Sequence, residues 1–89
     1  MKIKLELFGA SRDFSNKDHL EIEVQDKASV DDLRNEIIKY LDKNFKGNES
    51  FIKVVKSSAF CSENNKIISD NYKITKNQKI AIIPPIGGG

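Results

Sequence analysis

Apolar and polar residues alternate from the start of the chain. Lys2-Ile3-Lys4-Leu5-Glu6-Leu7-Phe8 sets Ile3, Leu5 and Leu7 on one face, the period-two signature of a half-buried strand. Phe8 falls out of phase with that face. Turn material over 9–17 follows, and His19-Leu20-Glu21-Ile22-Glu23-Val24 resumes the alternation with Leu20, Ile22 and Val24 inward. A connection this short predicts an antiparallel hairpin. The period then changes. Val30, Leu33, Ile37, Leu41 and Phe45 recur every three or four residues, leaving Asp31, Arg34, Glu36, Lys39 and Asp42 for water, the stripe of an amphipathic helix. Ser29 with Asp32 reads as its capping box and Gly47 as its stop.

The second half is less regular. Phe51-Ile52-Lys53-Val54-Val55 reads as a short strand or the packed approach to one. Ser58 to Cys61 is the next strand, Glu63-Asn64-Asn65 its turn and Lys66-Ile67-Ile68 a short return. In the loop from Asp70 to Thr75, Tyr72 and Ile74 are expected to plug the core. Asn77 reads as a turn residue tolerant of positive φ, leading into a last strand over 79–83. Two strands, one helix and several further strands predict an α+β fold, a two-layer β-grasp (ubiquitin-like) roll with a mixed sheet and one main helix across it. If its first and last strands pair in parallel at mid-sheet, the chain leaves from a rigid central strand.

Composition supports one small folded domain over 1–83. The 89 residues are 38% apolar and include five Phe, enough for a core though near the lower size limit for one. No apolar run is long enough to span a bilayer, and Lys2 and Lys4 sit within an alternating pattern rather than before the continuous apolar stretch of a signal peptide. A net charge of +2 with interspersed signs is no nucleic-acid footprint. The lone Cys61 excludes an intramolecular disulfide and fits a reducing compartment, so a cytoplasmic location is expected.

The candidate chemistry lies in Pro84-Pro85-Ile86-Gly87-Gly88-Gly89, expected to form a flexible arm over 84–89. Its one reactive group is the α-carboxylate of Gly89. The arm is either a frayed terminus or a thin thread that presents this carboxyl carbon to another enzyme. The direct run from Ala81-Ile82-Ile83 through two prolines favours the second reading.

These residues resemble the small, sulfur-carrying subunit of molybdopterin synthase, within the ubiquitin-like β-grasp sulfur carriers. The resemblance is carried by Ile80-Ala81-Ile82-Ile83, Pro84-Pro85, Ile86, Gly87 and Gly88-Gly89 at one end. At the other it rests on a strand reaching Phe8, small Gly9 and then Arg12, with Ser29 to Arg34 matching the helix start. It is loose over 43–62. Lys76-Asn77 stands where the family has an acidic residue and Gly, and Cys61-Ser62 where it often has Val-Asn.

The resemblance implies a carrier that is non-catalytic alone. An adenylating, ubiquitin-activating-like enzyme would join the Gly89 carboxylate to AMP from ATP. A sulfurtransferase or other persulfide donor would then convert it to a thiocarboxylate. The loaded tail would enter the large catalytic subunit, in a heterotetramer, and donate sulfur to the pterin precursor, cyclic pyranopterin monophosphate, in forming the molybdopterin dithiolene. No cofactor is expected on the chain itself, and neither nucleic acid nor membrane among its partners. Gly89 would react, Gly88 and Gly87 would thread the channel, and Pro84 and Pro85 would end the ladder and stiffen the arm's base. Ile86 would anchor at the channel mouth or pack on the core. An outward apolar patch would dock the partner. Phe8 belongs to it unless it caps the core edge, and Phe60 and Ile83 join it. Arg12 would pair with a partner carboxylate or stay solvated.

Other features carry less. Cys61 on an apolar strand reads as a buried small hydrophobe, and lone His19 has no neighbouring ligand type for a metal. Competing readings are a β-grasp carrier for tRNA thiolation or thiamin synthesis, one that also modifies proteins, and an interaction module with inert glycines.

Overall fold

The computed structural model describes residues 1–85. Strand β1 (Lys2–Leu7) is followed by a 3-10 helix (Gly9–Phe14), β2 (His19–Glu23), β3 (Ala28–Ser29) and helix α1 (Val30–Asn44). Helix α2 (Glu49–Ser57), β4 (Ala59–Cys61), β5 (Ile67–Ile68), β6 (Lys73–Ile74) and β7 (Gln78–Ile83) complete the order. Five strands form one sheet in the order β2-β1-β7-β4-β5, while β3 and β6 pair separately. β1 and β2 form the expected antiparallel hairpin, with Leu5 opposite Leu20. β1 and β7 run in parallel at the centre, with Leu7 beside Ile82. This mixed sheet with helices packed across one face is the β-grasp roll.

Alternation explains the layering. Ile3, Leu5, Leu7, Ile80, Ile82 and Phe60 project to one side and are fully or almost fully buried against Leu33, Ile37 and Leu41 of α1. The capping box forms as the sequence predicts. The Asp32 amide donates to the Ser29 hydroxyl at 3.0 Å, and the Ser29 amide donates to the Asp32 carboxylate at 2.9 Å. Those bonds to Ser29 hold the Asp32 carboxyl below its ordinary pKa of 3.8. The helix ends at Asn44 with Phe45 as its cap, and Lys46 and Gly47 both turn through positive φ.

Three expectations are corrected here. The segment containing Phe51 to Val55 is helical. Asn48 caps it by accepting from the Phe51 amide at 3.2 Å, and Phe51, Val54 and Val55 recur at helical spacing toward the core. The Phe51 ring lies 5.1 Å from those of both Phe14 and Phe45; helical periodicity overrides the β-branched composition. Tyr72 stays 38% exposed while Ile74 alone of that pair is buried. Asn77 has no positive φ, and its carboxamide oxygen instead accepts from the Lys2 amide at 2.9 Å, tying the β7 approach to β1.

Arg34 is the fourth departure. It is not left to water: its side chain is 12% exposed. The guanidinium donates to the carbonyls of Val55 at 2.6 Å and Ser58 at 2.9 Å, pairs with Asp70 at 2.6 Å, and lies 4.9 Å above the Phe60 ring. One planar cation thus joins α1, the end of α2, the start of β4 and the loop before β6. Replacing it leaves carbonyls without their charged donor. Arg34→Ala is expected to lower unfolding free energy by about 2–3 kcal/mol in urea titrations, the range for bonds to charged groups. Arg34→Lys should recover less than half, because one ammonium cannot span these acceptors.

The capping box generates a pH signature. A depressed folded pKa gives stability that is present above the unfolded value and lost as pH falls through the folded one. The urea midpoint of Asp32→Ala should therefore lie below that of the wild type at neutral pH. That difference should shrink on acidification below the ordinary carboxylate range; a constant difference would assign the effect to packing.

Candidate functional site

The end of β7 is built by three neighbouring segments. Leu7 beside Ile82 brings Phe8 alongside Ile83, while Ala59 of β4 lies opposite Ile83 on the other side. β1 stops at Phe8 because Ser11 captures its polar groups. The Phe8 amide donates to the buried Ser11 hydroxyl at 2.9 Å, and that hydroxyl donates back to the Phe8 carbonyl at 2.6 Å. The 3-10 helix occupies the region read from sequence as a plain turn. It begins with Gly9 at φ 55°, and a Cβ there would sit 3.8 Å from Pro84 Cγ. Gly9 is thus both a left-handed turn residue and the neighbour of the proline that ends the last strand.

The sheet face away from the helices carries two regions. Near the tail end lie Phe8, Ile83, Ala81, Ala59, Cys61 and Ile67, of which Phe8 is 46% and Ile67 76% exposed. Toward the start of β1 the same face becomes charged, with Lys4 beside Lys79 and opposite Glu21. A groove of about 240 Å³ lies at the boundary, lined by Phe8, Ile83, Ala81, Cys61, Glu6 and Lys79 among others. Lys79 and Glu6 approach to 3.4 Å across it, and the Glu63 carboxylate accepts from the Lys79 amide at 2.8 Å. A larger hollow of about 820 Å³ is lined by Glu23, Asp26, Asp32, Glu36, Val24 and Ile38 among others. Because Glu23 faces Lys2, that hollow sits at the opposite end of β1 from Phe8.

The structure sorts the sequence candidates. Phe8, Ile83 and Pro84 come together at the end of β7, with exposed Pro85 following. Arg12 lies in the adjoining 3-10 helix, exposed and without an ion pair among the described residues. Phe60 does not join the patch. It lies one residue out of phase with Cys61, is 1% exposed, and packs in the core beneath Arg34. The same parity corrects Cys61, which is half-buried in the outer groove rather than enclosed. Ile86, Gly87, Gly88 and Gly89 lie outside the described residues. Sequence reading missed Ile67, whose place opposite Cys61 puts it on this face; the signal was its phase relative to the buried Phe60 across the turn.

Phe8 and Gly9 contribute differently to stability. Phe8→Asp should leave the urea midpoint almost unchanged, within about 0.5 kcal/mol for an exposed position. Gly9→Ala should cost about 1–2 kcal/mol, the penalty of a left-handed conformation for a residue with a Cβ. Equal effects would contradict this division between surface and backbone.

Comparison with known proteins identifies the lineage. The ThiS family model matches residues 5–89, so the chain belongs to the ThiS family, a ubiquitin-like β-grasp family of sulfur carriers. A search of curated protein sequences finds no significant match. Among solved structures, a Pyrococcus furiosus protein described as a candidate molybdopterin converting factor, subunit 1, is 25% identical with a TM-score of 0.69, covering 96% of this chain and 98% of its own. The SAMP1 protein of Haloferax volcanii is 15% identical with a TM-score of 0.68, and both chains are fully covered. A ubiquitin of Caldiarchaeum subterraneum is 19% identical with a TM-score of 0.61, covering all of this chain and 98% of its own. The last two likenesses concern the fold alone. No helix among the described residues is long and apolar enough to cross a membrane.

Proposed function

We propose that this sulfur carrier serves molybdenum-cofactor biosynthesis as the small, sulfur-donating subunit of a molybdopterin synthase. The observation that carries the reading is the central strand β7 running into Pro84-Pro85-Ile86-Gly87-Gly88-Gly89. The likeness to the Pyrococcus furiosus protein, at 25% identity over nearly the whole chain, supports the same branch.

A carboxylate resists nucleophilic substitution because its leaving group would be oxide. Adenylation removes that obstacle. The Gly89 carboxylate oxygen attacks the α-phosphorus of ATP on the adenylating enzyme, and pyrophosphate leaves. A sulfur nucleophile then attacks the acyl carbon, and AMP leaves. With sulfide as donor the product is directly a C-terminal thiocarboxylate, whose sulfur passes to the pterin precursor in the large subunit; water restores the carboxylate. The absence of a Cβ at Gly89 keeps the attacked carbonyl uncrowded. Gly88 and Gly87 let the partner approach the backbone closely. Pro84 and Pro85 limit the conformations lost on insertion. Phe8 and Ile83 give the large subunit an apolar surface beside the arm, with Arg12 at its rim.

Intact-mass analysis tests the reading. The full chain incubated with the adenylating enzyme of the same cell, ATP and sulfide should gain the mass of one sulfur exchanged for one oxygen, localised to Gly89. One residue appended after Gly89 should abolish that gain while leaving the urea midpoint unchanged. Transfer of the sulfur to the pterin precursor by the large subunit identifies the branch. Loading without this transfer, but with sulfur delivered to tRNA or a thiazole precursor, would overturn the molybdenum assignment. No loading would overturn the carrier chemistry.

A further inference from the structure

The ladder between β1 and β7 is closed by a side chain at each end. Odd-numbered positions of β1 turn their backbone groups toward β2. The Met1 amino group donates to the Val24 carbonyl at 2.7 Å, the Val24 amide donates to the Met1 carbonyl at 2.9 Å, and the Leu7 amide donates to the Asp18 carbonyl at 2.9 Å. Even-numbered positions therefore face β7. At the start of the ladder the Lys2 amide meets the Asn77 side chain, at 2.9 Å. At its far end stands Phe8, opposite Ile83 when the register of Leu7 with Ile82 is continued by one residue. In a parallel ladder a carbonyl so placed accepts from the amide of the residue after its partner. That residue is Pro84, which has no N–H. The Phe8 carbonyl is filled by Ser11 instead, accepting from its hydroxyl at 2.6 Å and from its amide at 3.1 Å, which occupies both lone pairs. Ser11 is fully buried, and its hydroxyl also accepts from the Phe8 amide at 2.9 Å. Proline at 84 and the hydroxyl at 11 thus remove the same bond from its two sides, one its donor and the other its acceptor.

We propose that Ser11 is a positioning residue for the reaction at Gly89, an inference that deepens the carrier reading above and rests on it. Ser11 closes the acceptor side of the ladder and holds the turn in which Gly9, at φ 55°, takes the chain out of β1. No strand then continues β1 for the residues after Ile82 to pair with. The pivot from which the terminus is delivered is set at Pro84, whose ring lies against Gly9. Each residue drawn further into the ladder would be fixed along the sheet and lost to the arm. A misplacement of about 1 Å at the reacting carbon can cost about a hundredfold in rate, so a pivot moved by one residue is felt at the chemical step rather than in docking.

Pro84→Ala supplies the missing amide as a reporter, read in the free chain by hydrogen exchange. With Ser11 intact the new amide at position 84 should exchange at nearly the rate of an unprotected peptide. In the Ser11→Ala/Pro84→Ala pair it should slow about tenfold as it takes the Phe8 carbonyl, the effect of one net hydrogen bond. The Ile82 amide, the last on β7 directed at β1, should stay protected throughout and report an intact fold. Loading with the adenylating enzyme of the same cell, ATP and sulfide then tests the consequence. At saturating carrier the pair should load about tenfold more slowly than Pro84→Ala alone. Its KM should agree within about twofold, because Phe8 and Ile83 keep their side chains. A protected amide at position 84 with Ser11 intact would overturn the ladder stop, whether or not the pair folds. So would an unprotected one in a folded pair. Equal saturating rates, or a change in KM alone, would overturn the positioning role. A wild-type chain that does not load would overturn the carrier reading and the positioning role with it, whereas the ladder stop is judged by exchange in the free chain.

Discussion

The parallel pairing of β1 with β7 is the constraint on which the other features depend. Parallel neighbours cannot be joined by a tight turn; the intervening chain must cross over the sheet. Here that crossover contains everything from the 3-10 helix to β6. The first and last strands therefore end side by side, Leu7 next to Ile82, with adjacent strands on both outer sides. A chain leaving at Pro84 departs from a strand held on both edges rather than from a fraying one. That pairing also places Phe8 beside Ile83 and Gly9 beneath Pro84, residues separated by nearly the whole sequence.

Arg34 complements this pairing from the helix layer. The short strand β4 supplies few ladder bonds of its own, and α2 ends immediately before it. A helix terminus leaves carbonyls without intrahelical donors. Arg34 donates to the Ser58 carbonyl and to that of Val55, which also accepts from the Ser58 amide, while Asp70 balances its charge, so the desolvation of a largely buried cation is offset by several acceptors. Aligned in this way, β4 covers the second edge of β7. The result is a charged side chain on one layer fixing the neighbour of the strand that leads to the tail on the other.

Much of this was legible because strands with one wet face advertise their phase. Ile3, Leu5 and Leu7, and later Ile80 and Ile82, could be placed from alternation alone, and Ser29 with Asp32 marked the start of α1. The failures share a cause. Short segments around 51–62 hold too few residues for one period to dominate, so Phe51 to Val55 resembled a strand and Cys61 and Phe60 were both assigned to the wrong face. Arg34 followed the polar stripe of its helix, and no local pattern announces that a polar side chain will meet distant carbonyls. Gly9 was visible only as a small residue; its conformation and its proximity to Pro84 depend on the parallel pairing. At the site, the alternation of β1 placed Phe8 on the outer face, whereas the extent of that apolar face required the register of β4 and β5.

The distribution of polarity over that face bears on how such a carrier meets its partners. The apolar residues lie at the end where the last strand finishes, while Lys4, Lys79 and Glu21 occupy the region toward the start of β1 and Glu6 lies at the boundary beside Ala81. Desolvating Phe8, Ile83 and Ile67 favours association, whereas the adjoining ion pair of Lys79 with Glu6 contributes little while exposed. The favourable area is thus concentrated around the exit of the chain. A partner that covers it is oriented by the same contact relative to the end of β7. Binding energy held to a small patch favours release as well as recognition.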